Sequence, residues 1–218
     1  MAKDTKDRIL TAALELFEAE GYEGTTMRAI AQRAGVSTGN AYYWFSSKDE
    51  LVQAFYSRLQ HEHASLVGQV TAGLPLAERL RHCEHAWLDL IGPHHAFGSA
   101  FIGTALRPGA ASPFSEASRE ARETSIGIYR DLVTGADPAP AKAWQTVLPE
   151  LLWLGHLGIT LFWVSDDSEG SRRTRALVDQ AVDLTAGALR LARVPGSRFA
   201  AERTQRLLDL ILRGDEEQ

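Results

Sequence analysis

The segment of residues 25–51 constrains the fold of this chain more than any other stretch. Apolar residues recur there at helical spacing after Thr25 and Thr26, which can cap the helix, and Gly35 ends it. Ser37 is a strong cap for a second helix, which is too short to be stable without its neighbours. Two short helices joined by a tight glycine turn predict a helix-turn-helix, whose second helix enters the major groove of DNA.

The second predicted helix carries most of the residues expected to touch DNA. Small polar residues open it, and three consecutive aromatic residues follow that are too crowded for all to be buried. The expected base contacts are Thr38, Asn40 and Tyr43, with Arg28 as a further candidate from the preceding helix. The contacts expected mainly to the DNA backbone are Thr26, Tyr42, Trp44 and Lys48, and Gly39 is a further expected contact at the start of the helix. The alternative is that the aromatic side chains only hold the small helices together, which is the favoured role for Phe45.

A dense set of residues within about 7–55 forms a pattern: Gly21-Tyr22, Thr25-Thr26, Ile30-Ala31, Ala34-Gly35-Val36-Ser37, Gly39, Tyr42, Phe45, Lys48 and Leu51. This pattern resembles the N-terminal signature of the TetR family of repressors. Ala41 departs from it, since a larger aliphatic residue is usual there. The resemblance implies an all-α, dimeric DNA-binding protein that responds to a ligand. We expect no cofactor.

The length of 218 residues suits one small and one larger domain. We expect a helix-turn-helix DNA-binding domain over residues 1–50 and a helical ligand-binding and dimerisation domain over residues 51–218. The boundary is expected within a helix that starts near Lys48. Nothing beyond it alternates for long enough to predict strands.

The charge balance counts mildly against DNA binding, because phosphate contacts supply most non-specific affinity. The net charge is −5, and residues 1–50 hold six Lys/Arg against eight Asp/Glu. We expect three basic residues to lie near the groove, namely Arg28, Arg33 and Lys48. We expect the glutamates of the first helix and its turn on another surface, namely Glu15, Glu18, Glu20 and Glu23. The acidic balance favours the rival hypothesis, an all-α ligand-binding or catalytic protein with a vestigial DNA-binding domain.

The chain is expected to work in the cytoplasm and not in a membrane. The single cysteine, Cys83, excludes an intramolecular disulfide framework. Residues 1–8 run directly into an amphipathic pattern and do not resemble a signal peptide. The longest apolar stretch, residues 151–164, is 14 residues long, which is short of a membrane span.

The middle of the chain contains aromatic residues on predicted helices, which in the family enclose an inducer pocket. The expected lining residues are Trp87, Phe97, Phe101, Tyr129, Trp153 and His156; an ordinary core role is the alternative for each. His82 and His85 share a helical face and could bind a metal, but no third ligand is spaced to complete a site. No nucleophile elbow, phosphate loop or zinc-protease motif occurs, so we expect neither a metal site nor an enzyme.

Helices near residues 141–164 and 171–194 are expected to form a homodimer. In the second of them, apolar residues recur every three or four positions: Leu177, Ala181, Leu184, Ala188 and Leu191. Two such helices from each chain would make a four-helix bundle; a fully intramolecular core helix is the alternative. The complete prediction is a repressor that leaves its double-stranded DNA operator when a small, mostly apolar molecule binds.

Overall fold

Helices are the regular structure of this chain wherever the computed structural model describes it, over residues 2–68, 73–95, 98, 112–191 and 197–212. No strand occurs in these residues, so the predicted all-α class is confirmed. The α-helices are α1 (Ala2–Gly24), α2 (Met27–Arg33), α3 (Thr38–Trp44), α4 (Lys48–Val67), α5 (Leu76–Ile91), α6 (Arg119–Thr134), α7 (Lys142–Val164), α8 (Arg172–Leu191) and α9 (Ser197–Leu212).

The first compact unit comprises Met1–Gln60 and Pro93–Arg122. Within it, α1 packs on α2 and α2 packs on α3, because each helix is apolar along one face. The buried side chains of this unit include Ile9, Phe17, Ile30, Phe45 and Leu51. The helix α4 begins where the Ser47 hydroxyl accepts a hydrogen bond from the Glu50 N–H at 3.2 Å, which caps the helix.

The second compact unit comprises His61–Gly92 and Glu123–Gln218. Its helices α5 and α8 pack on each other, and α7 packs on both α8 and α9. Its almost fully buried side chains include Leu88, Tyr129, Leu132, Trp153 and Val178. The two units are defined by compactness, and α4 continues from the first into the second. The expected functional division into residues 1–50 and 51–218 stays a prediction.

Two helices contain residues that disfavour helix, a glycine in α1 and a proline in α7. The backbone of Gly21 is non-helical (φ 77°), so it interrupts α1, and a short helical segment follows it as far as Gly24. Pro149 lies inside α7, which continues through it as one helix. Proline removes a single helix hydrogen bond, and burial of Pro149 and its neighbour Leu148 offsets that loss.

The apolar stretch of α7 is longer than the sequence suggested. Because the helix reaches back to Lys142, it is long and apolar enough to cross a membrane by length and composition. A helix in the core of a soluble protein passes the same test, so this property is weak evidence for a membrane span. Only 33% of its most apolar window is buried within the single chain. The expectation considered residues 151–164 alone, whereas the length and composition test is passed by the whole helix Lys142–Val164.

Candidate DNA interface and ligand cavity

Local hydrogen bonds shape the turn that joins α2 to α3. The hydroxyl of Thr26 accepts a hydrogen bond from the Ala29 N–H at 3.1 Å and caps the start of α2. At the other end, Gly35 adopts a left-handed conformation (φ 66°), which lets the Val36 N–H donate to the Ala31 carbonyl at 3.0 Å. The predicted helix, glycine turn and second helix are confirmed.

Arg8 of α1 holds this turn from the outside, a role that the sequence analysis missed. Its Nη2 donates to the carbonyl of Ala34 at 2.5 Å and lies 3.4 Å from the carbonyl oxygen of Gly35. These are carbonyls at the C-terminus of α2, which lack partners within the helix and carry partial negative charge. A Cβ added to Gly35 would lie 3.1 Å from the same Nη2 atom. Glycine is therefore required at this position both for its backbone conformation and for the approach of Arg8.

We expect Gly35→Ala to lower the free energy of unfolding by about 1–2 kcal/mol, because the left-handed conformation is strained for alanine and the new Cβ crowds Arg8. Urea denaturation of the purified variant measures this. Gly24→Ala is the matched control, since a Cβ there meets only Glu20 Cβ at 3.9 Å. Equal stability of the two variants would contradict the role given to this turn.

One face of α3 is open to solvent while the other is fully packed. Ala41 and Phe45 are 0% and 1% exposed, so the small residue at position 41 lies against its neighbours without disturbing the helix. Tyr42 and Tyr43 are 51% and 79% exposed. The crowding argument is confirmed for these two rings, and Phe45 is in the core as favoured. Trp44 is half-buried, with its ring centroid 5.2 Å from that of Tyr43.

The exposed end of α3 contains the small polar residues expected to meet bases. The hydroxyl of Ser37 accepts a hydrogen bond from the Asn40 N–H at 3.1 Å and caps the helix, and Asn40 is itself exposed. The exposed residues among those predicted to contact DNA are Thr26, Arg28, Thr38, Gly39, Asn40, Tyr42 and Tyr43. They lie on α2, on α3 and at the cap of α2, which is the pair of helices that a helix-turn-helix uses.

The three basic residues expected near DNA differ in their partners. Arg28 is exposed and has no hydrogen-bond or ion-pair partner among the residues that the structure describes. Arg33 forms an ion pair with Glu15 at 2.7 Å, so the expectation that this glutamate lies on another surface is wrong. The Lys48 ammonium donates a hydrogen bond to the backbone carbonyl of Tyr22 at 2.5 Å. The same ammonium lies 4.3 Å from the centre of the Tyr22 ring. Its ammonium retains further donors that a phosphate could accept.

The second unit encloses a polar cluster centred on Glu84, which is 4% exposed. Its carboxylate accepts a hydrogen bond from Tyr129 Oη at 2.6 Å and another from His156 Nδ1 at 3.0 Å. Burial pushes the pKa of Glu84 upward, but the charge and hydrogen bond of His156 and the hydrogen bond of Tyr129 outweigh it. The pKa is therefore lowered, and the carboxyl group is ionised. Burial and the neighbouring carboxylate raise the pKa of the Tyr129 phenol, so it remains a donor.

His63 of α4 lies beside this cluster and is neutral. Its ring stacks on that of His156 at 5.8 Å, with an interplanar angle of 11°, and its Nε2 donates to the Cys83 carbonyl at 3.0 Å. Burial lowers the pKa of His63 to about 4, and the charge of His156 acts in the same direction. The Trp87 ring packs on His156 with centroids 4.7 Å apart. The cluster therefore joins two histidines, a carboxylate and a phenol within an aromatic shell.

A cavity of about 400 Å³ lies between α5, α7 and α8 in the second unit. Such a volume is within the range of small-molecule sites. Its polar lining includes Glu84 and His156, so the cluster forms part of its wall. Most of its lining is apolar, including Leu80, Leu148, Leu151, Ile159, Val182 and Leu184.

The predicted pocket residues have separate locations. His156 lines the cavity. The rings of Trp87 and Tyr129 do not line it, but they contact the His156 ring from the buried core. Trp153 is 0% exposed and does not line this cavity. Phe97 and Phe101 are outside the described residues. Sequence reasoning missed Glu84, although it occupies an i, i+4 position between Leu80 and Leu88 on the apolar face of α5.

The paired histidines of α5 do not form a joint site. His82 is exposed, whereas His85 Nε2 is 3.0 Å from Asp179 Oδ1, a carboxylate that also accepts from Arg81. Within the part of the chain that the structure describes, no group of three or more His, Cys, Asp or Glu residues is arranged to hold a metal ion. His85 therefore belongs to an ion-pair network between α5 and α8.

The apolar seam of α8 faces outward in the single chain. Leu184 is 75% exposed and Leu177 is 38% exposed, whereas Val178 and Val182 are buried. On α7, a Cβ added to Gly155 or Gly158 would meet no atom within 4 Å, so this stretch presents a flat, open surface. The alternative of a fully intramolecular α8 does not account for the exposed seam.

Two protein families match this chain. The family described as "Bacterial regulatory proteins, tetR family" matches residues 9–55, and "Tetracyclin repressor-like, C-terminal domain" matches residues 79–199. The HTH-type transcriptional regulator TtgW of Pseudomonas putida is 45% identical over 60 residues, which are 28% of this chain and 45% of TtgW. SrpR, also of Pseudomonas putida, is 43% identical over 60 residues, which are 28% of each chain. The matched segment thus spans less than half of either relative.

Solved structures resemble the chain over most of its length. A TetR transcriptional regulator from Nitrosomonas europaea ATCC 19718 aligns with a TM-score of 0.62 and 24% identity, covering 83% of this chain and 97% of that one. A transcriptional regulator from Rhodococcus sp. Rha1 aligns with a TM-score of 0.62 and 21% identity, covering 87% and 99%. At these identities the likeness concerns the fold alone.

Proposed function

This chain belongs to the TetR family of DNA-binding transcriptional regulators, and from that premise we propose that it is a dimeric repressor released from its operator by a small, mostly apolar molecule. The observation that carries the proposal is the exposed face of α3, which presents Thr38, Asn40 and Tyr43 beside a capped glycine turn. A regulator of this kind works on cytoplasmic DNA. Specific selection of genomic fragments, including the gene's own upstream region, tests the proposal.

Different residues of the interface have different proposed tasks. Thr38, Asn40 and Tyr43 read base edges, because they are exposed on the helix that a helix-turn-helix inserts into the groove. Arg28 supplies a cation that nothing else among the described residues engages. Lys48 contacts a phosphate with donors left over from its bond to Tyr22. This division separates sequence preference from general affinity.

We expect Asn40→Ala to weaken operator binding by about 1–3 kcal/mol and to relax preference at one base position. Lys48→Met should instead weaken all sequences alike and reduce the salt slope by about one unit. Gel-shift titrations against the selected operator and against altered operators, at several salt concentrations, measure both effects. Unchanged affinity and preference in Asn40→Ala would show that α3 is not the helix that reads the bases.

If no specific fragment emerges at moderate salt, the repressor proposal fails. The rival hypothesis, a ligand-binding or catalytic protein with a vestigial DNA-binding domain, is then favoured.

The proposed homodimer uses α7 and α8. The support is the exposed apolar seam of α8, together with the open surface at Gly155 and Gly158 and the largely unburied apolar window of α7. Burying these surfaces against a second copy removes apolar area from water. A symmetric dimer would present two reading helices to half-sites about 34 Å apart, or a multiple of that distance.

The proposed switch depends on the cavity between α5, α7 and α8. A ligand releases the operator only if it binds the DNA-free state more tightly than the DNA-bound state. The helix α4 connects the start of the second unit to the first unit without interruption, so it is the proposed carrier of the change. By linkage, the operator should weaken ligand binding by the same factor by which the ligand weakens operator binding.

A further inference from the structure

The cavity between α5, α7 and α8 has a buried floor and an exposed rim. We define the floor by the buried lining residues Leu80 and Val182, and the rim by the exposed lining residues Gly155, Leu184 and Ala188. None of these three rim residues carries a polar side chain. The cavity therefore opens at the surface of the single chain, between apolar stretches of α7 and α8.

This rim belongs to the surface that is proposed for the homodimer. Of the α8 seam, Ala181, Leu184 and Ala188 line the cavity. On α7, Gly155 is part of the flat surface where an added Cβ would meet no atom within 4 Å. A second copy that packs on this surface must therefore cover the mouth of the cavity. The cavity of one chain is thus only part of the cavity that the dimer would contain.

The cavity is too large for one side chain of a second copy to fill. Its volume of about 400 Å³ is many times the share of one water molecule in the liquid, about 30 Å³, and exceeds the volume of any single apolar side chain. A small molecule could therefore be enclosed beneath the second copy. The Glu84 carboxylate in the wall already accepts hydrogen bonds from Tyr129 and His156, so the apolar lining favours a neutral, apolar occupant.

We propose that the ligand site is incomplete in one chain, and that α7 and α8 of a second copy close it over a neutral apolar ligand. This inference rests on the proposed ligand-responsive dimer and adds that ligand binding and dimerisation are linked. A ligand enclosed by both copies loses more apolar surface to the protein than a ligand in the open cavity of one chain. By linkage, such a ligand also stabilises the dimer.

A neutral fluorescent molecule, N-phenyl-1-naphthylamine, tests the proposal with the full-length wild-type chain. Fluorescence titration should show binding to the dimer that weakens at least about tenfold when dilution dissociates it. Tenfold is about 1.4 kcal/mol, which corresponds to about 55 Å² of further apolar burial on the ligand and the second copy. Reciprocally, saturating N-phenyl-1-naphthylamine should lower the dimer dissociation constant, measured by sedimentation, by the same factor for each of the two bound molecules.

Leu177→Asp separates the dimer from the cavity wall, because Leu177 is an exposed residue of the α8 seam that does not line the cavity. The monomeric variant should bind N-phenyl-1-naphthylamine at least about tenfold more weakly than the wild-type dimer, although every lining residue is unchanged. Leu66→Asp, with the same charge at an exposed leucine of α4, should keep both the dimer and the affinity. Circular dichroism checks folding, and dilution of the wild type decides the question if Leu177→Asp unfolds or stays dimeric.

Equal affinity of monomer and dimer would overturn the inference, because the site would then be complete in one chain. Binding by the monomer alone would also overturn it, since side chains of the second copy would then fill the cavity, as would no binding by either form. Operator binding without the fluorescent molecule is measured on the same wild-type samples. Its absence refutes the proposed function, whereas specific operator binding with equal affinity of monomer and dimer for N-phenyl-1-naphthylamine refutes only the shared site.

Discussion

Leu184→Asp is expected to leave the folded monomer intact, abolish the dimer and eliminate operator binding at ordinary protein concentrations. The side chain is 75% exposed in the single chain, so the substitution should cost little folding free energy. In the proposed interface the new carboxylate would be buried without a partner in both copies, at a cost of several kcal/mol. Sedimentation measures the oligomeric state, and a gel shift with the selected operator measures DNA binding. Residues 1–50 are unchanged, so lost binding would follow from lost dimerisation.

The matched control is Leu66→Asp, which introduces the same charge at another exposed leucine, 42% exposed near the end of α4. This variant should remain dimeric and bind the operator like the wild type. Near-identical circular dichroism and thermal unfolding of monomeric Leu184→Asp would separate lost association from misfolding. If Leu184→Asp sediments as a dimer, the interface lies elsewhere and the seam of α8 needs another partner.

Acidification from about pH 7 to about pH 5 is expected to cost the wild type about 2 kcal/mol of stability through His63 alone. Burial holds the pKa of His63 at about 4 in the folded chain, below the ordinary value of 6.5. The unfolded chain therefore binds the proton first, and stability falls as the pH drops below about 6.5 towards 4. The lowered pKa of Glu84 acts in the same direction but only near and below its ordinary value of 4.5, because its stabilising ionised form is lost there.

His63→Gln removes the titrating group but keeps a donor for the Cys83 carbonyl. Its loss of stability between about pH 7 and about pH 5 should be smaller than that of the wild type by about 2 kcal/mol, as measured by urea denaturation at both pH values. His61→Gln, two positions earlier on the same helix and exposed, serves as the control and should retain the wild-type pH dependence. Identical losses for wild type and His63→Gln would show that this imidazole titrates normally in the folded chain.

The helix-turn-helix could be predicted from the sequence because its deciding interactions are local. The bond from the Asn40 N–H to the Ser37 hydroxyl joins residues three apart, and Thr26 caps α2 in the same way. The positive φ of Gly35 follows from the residue type itself. The exposure of Tyr42 and Tyr43 follows from the geometry of consecutive residues on a helix.

Predictions about surfaces were less successful, because they depend on how helices are oriented. Glu15 was expected away from the basic residues, yet it pairs with Arg33 across 18 positions of sequence. The role of Arg8 depends on a carbonyl 26 residues away. The apolar periodicity of α1 marks its buried face, but it does not reveal which polar residues beside that face meet α2.

The sequence by itself determined that the chain is helical, that it carries a helix-turn-helix and that its family is TetR, since caps, glycine turns and apolar periodicity act within one or two helical turns. Tertiary structure decided which polar groups meet in the second compact unit. Glu84 lies 45 residues from Tyr129 and 72 from His156, so only the packing of α5, α6 and α7 brings them together. It also decided which face of α8 remains open. Burial of a charge and exposure of an apolar seam both depend on residues that are far apart in sequence. Local sequence does not encode which of those residues come together in space.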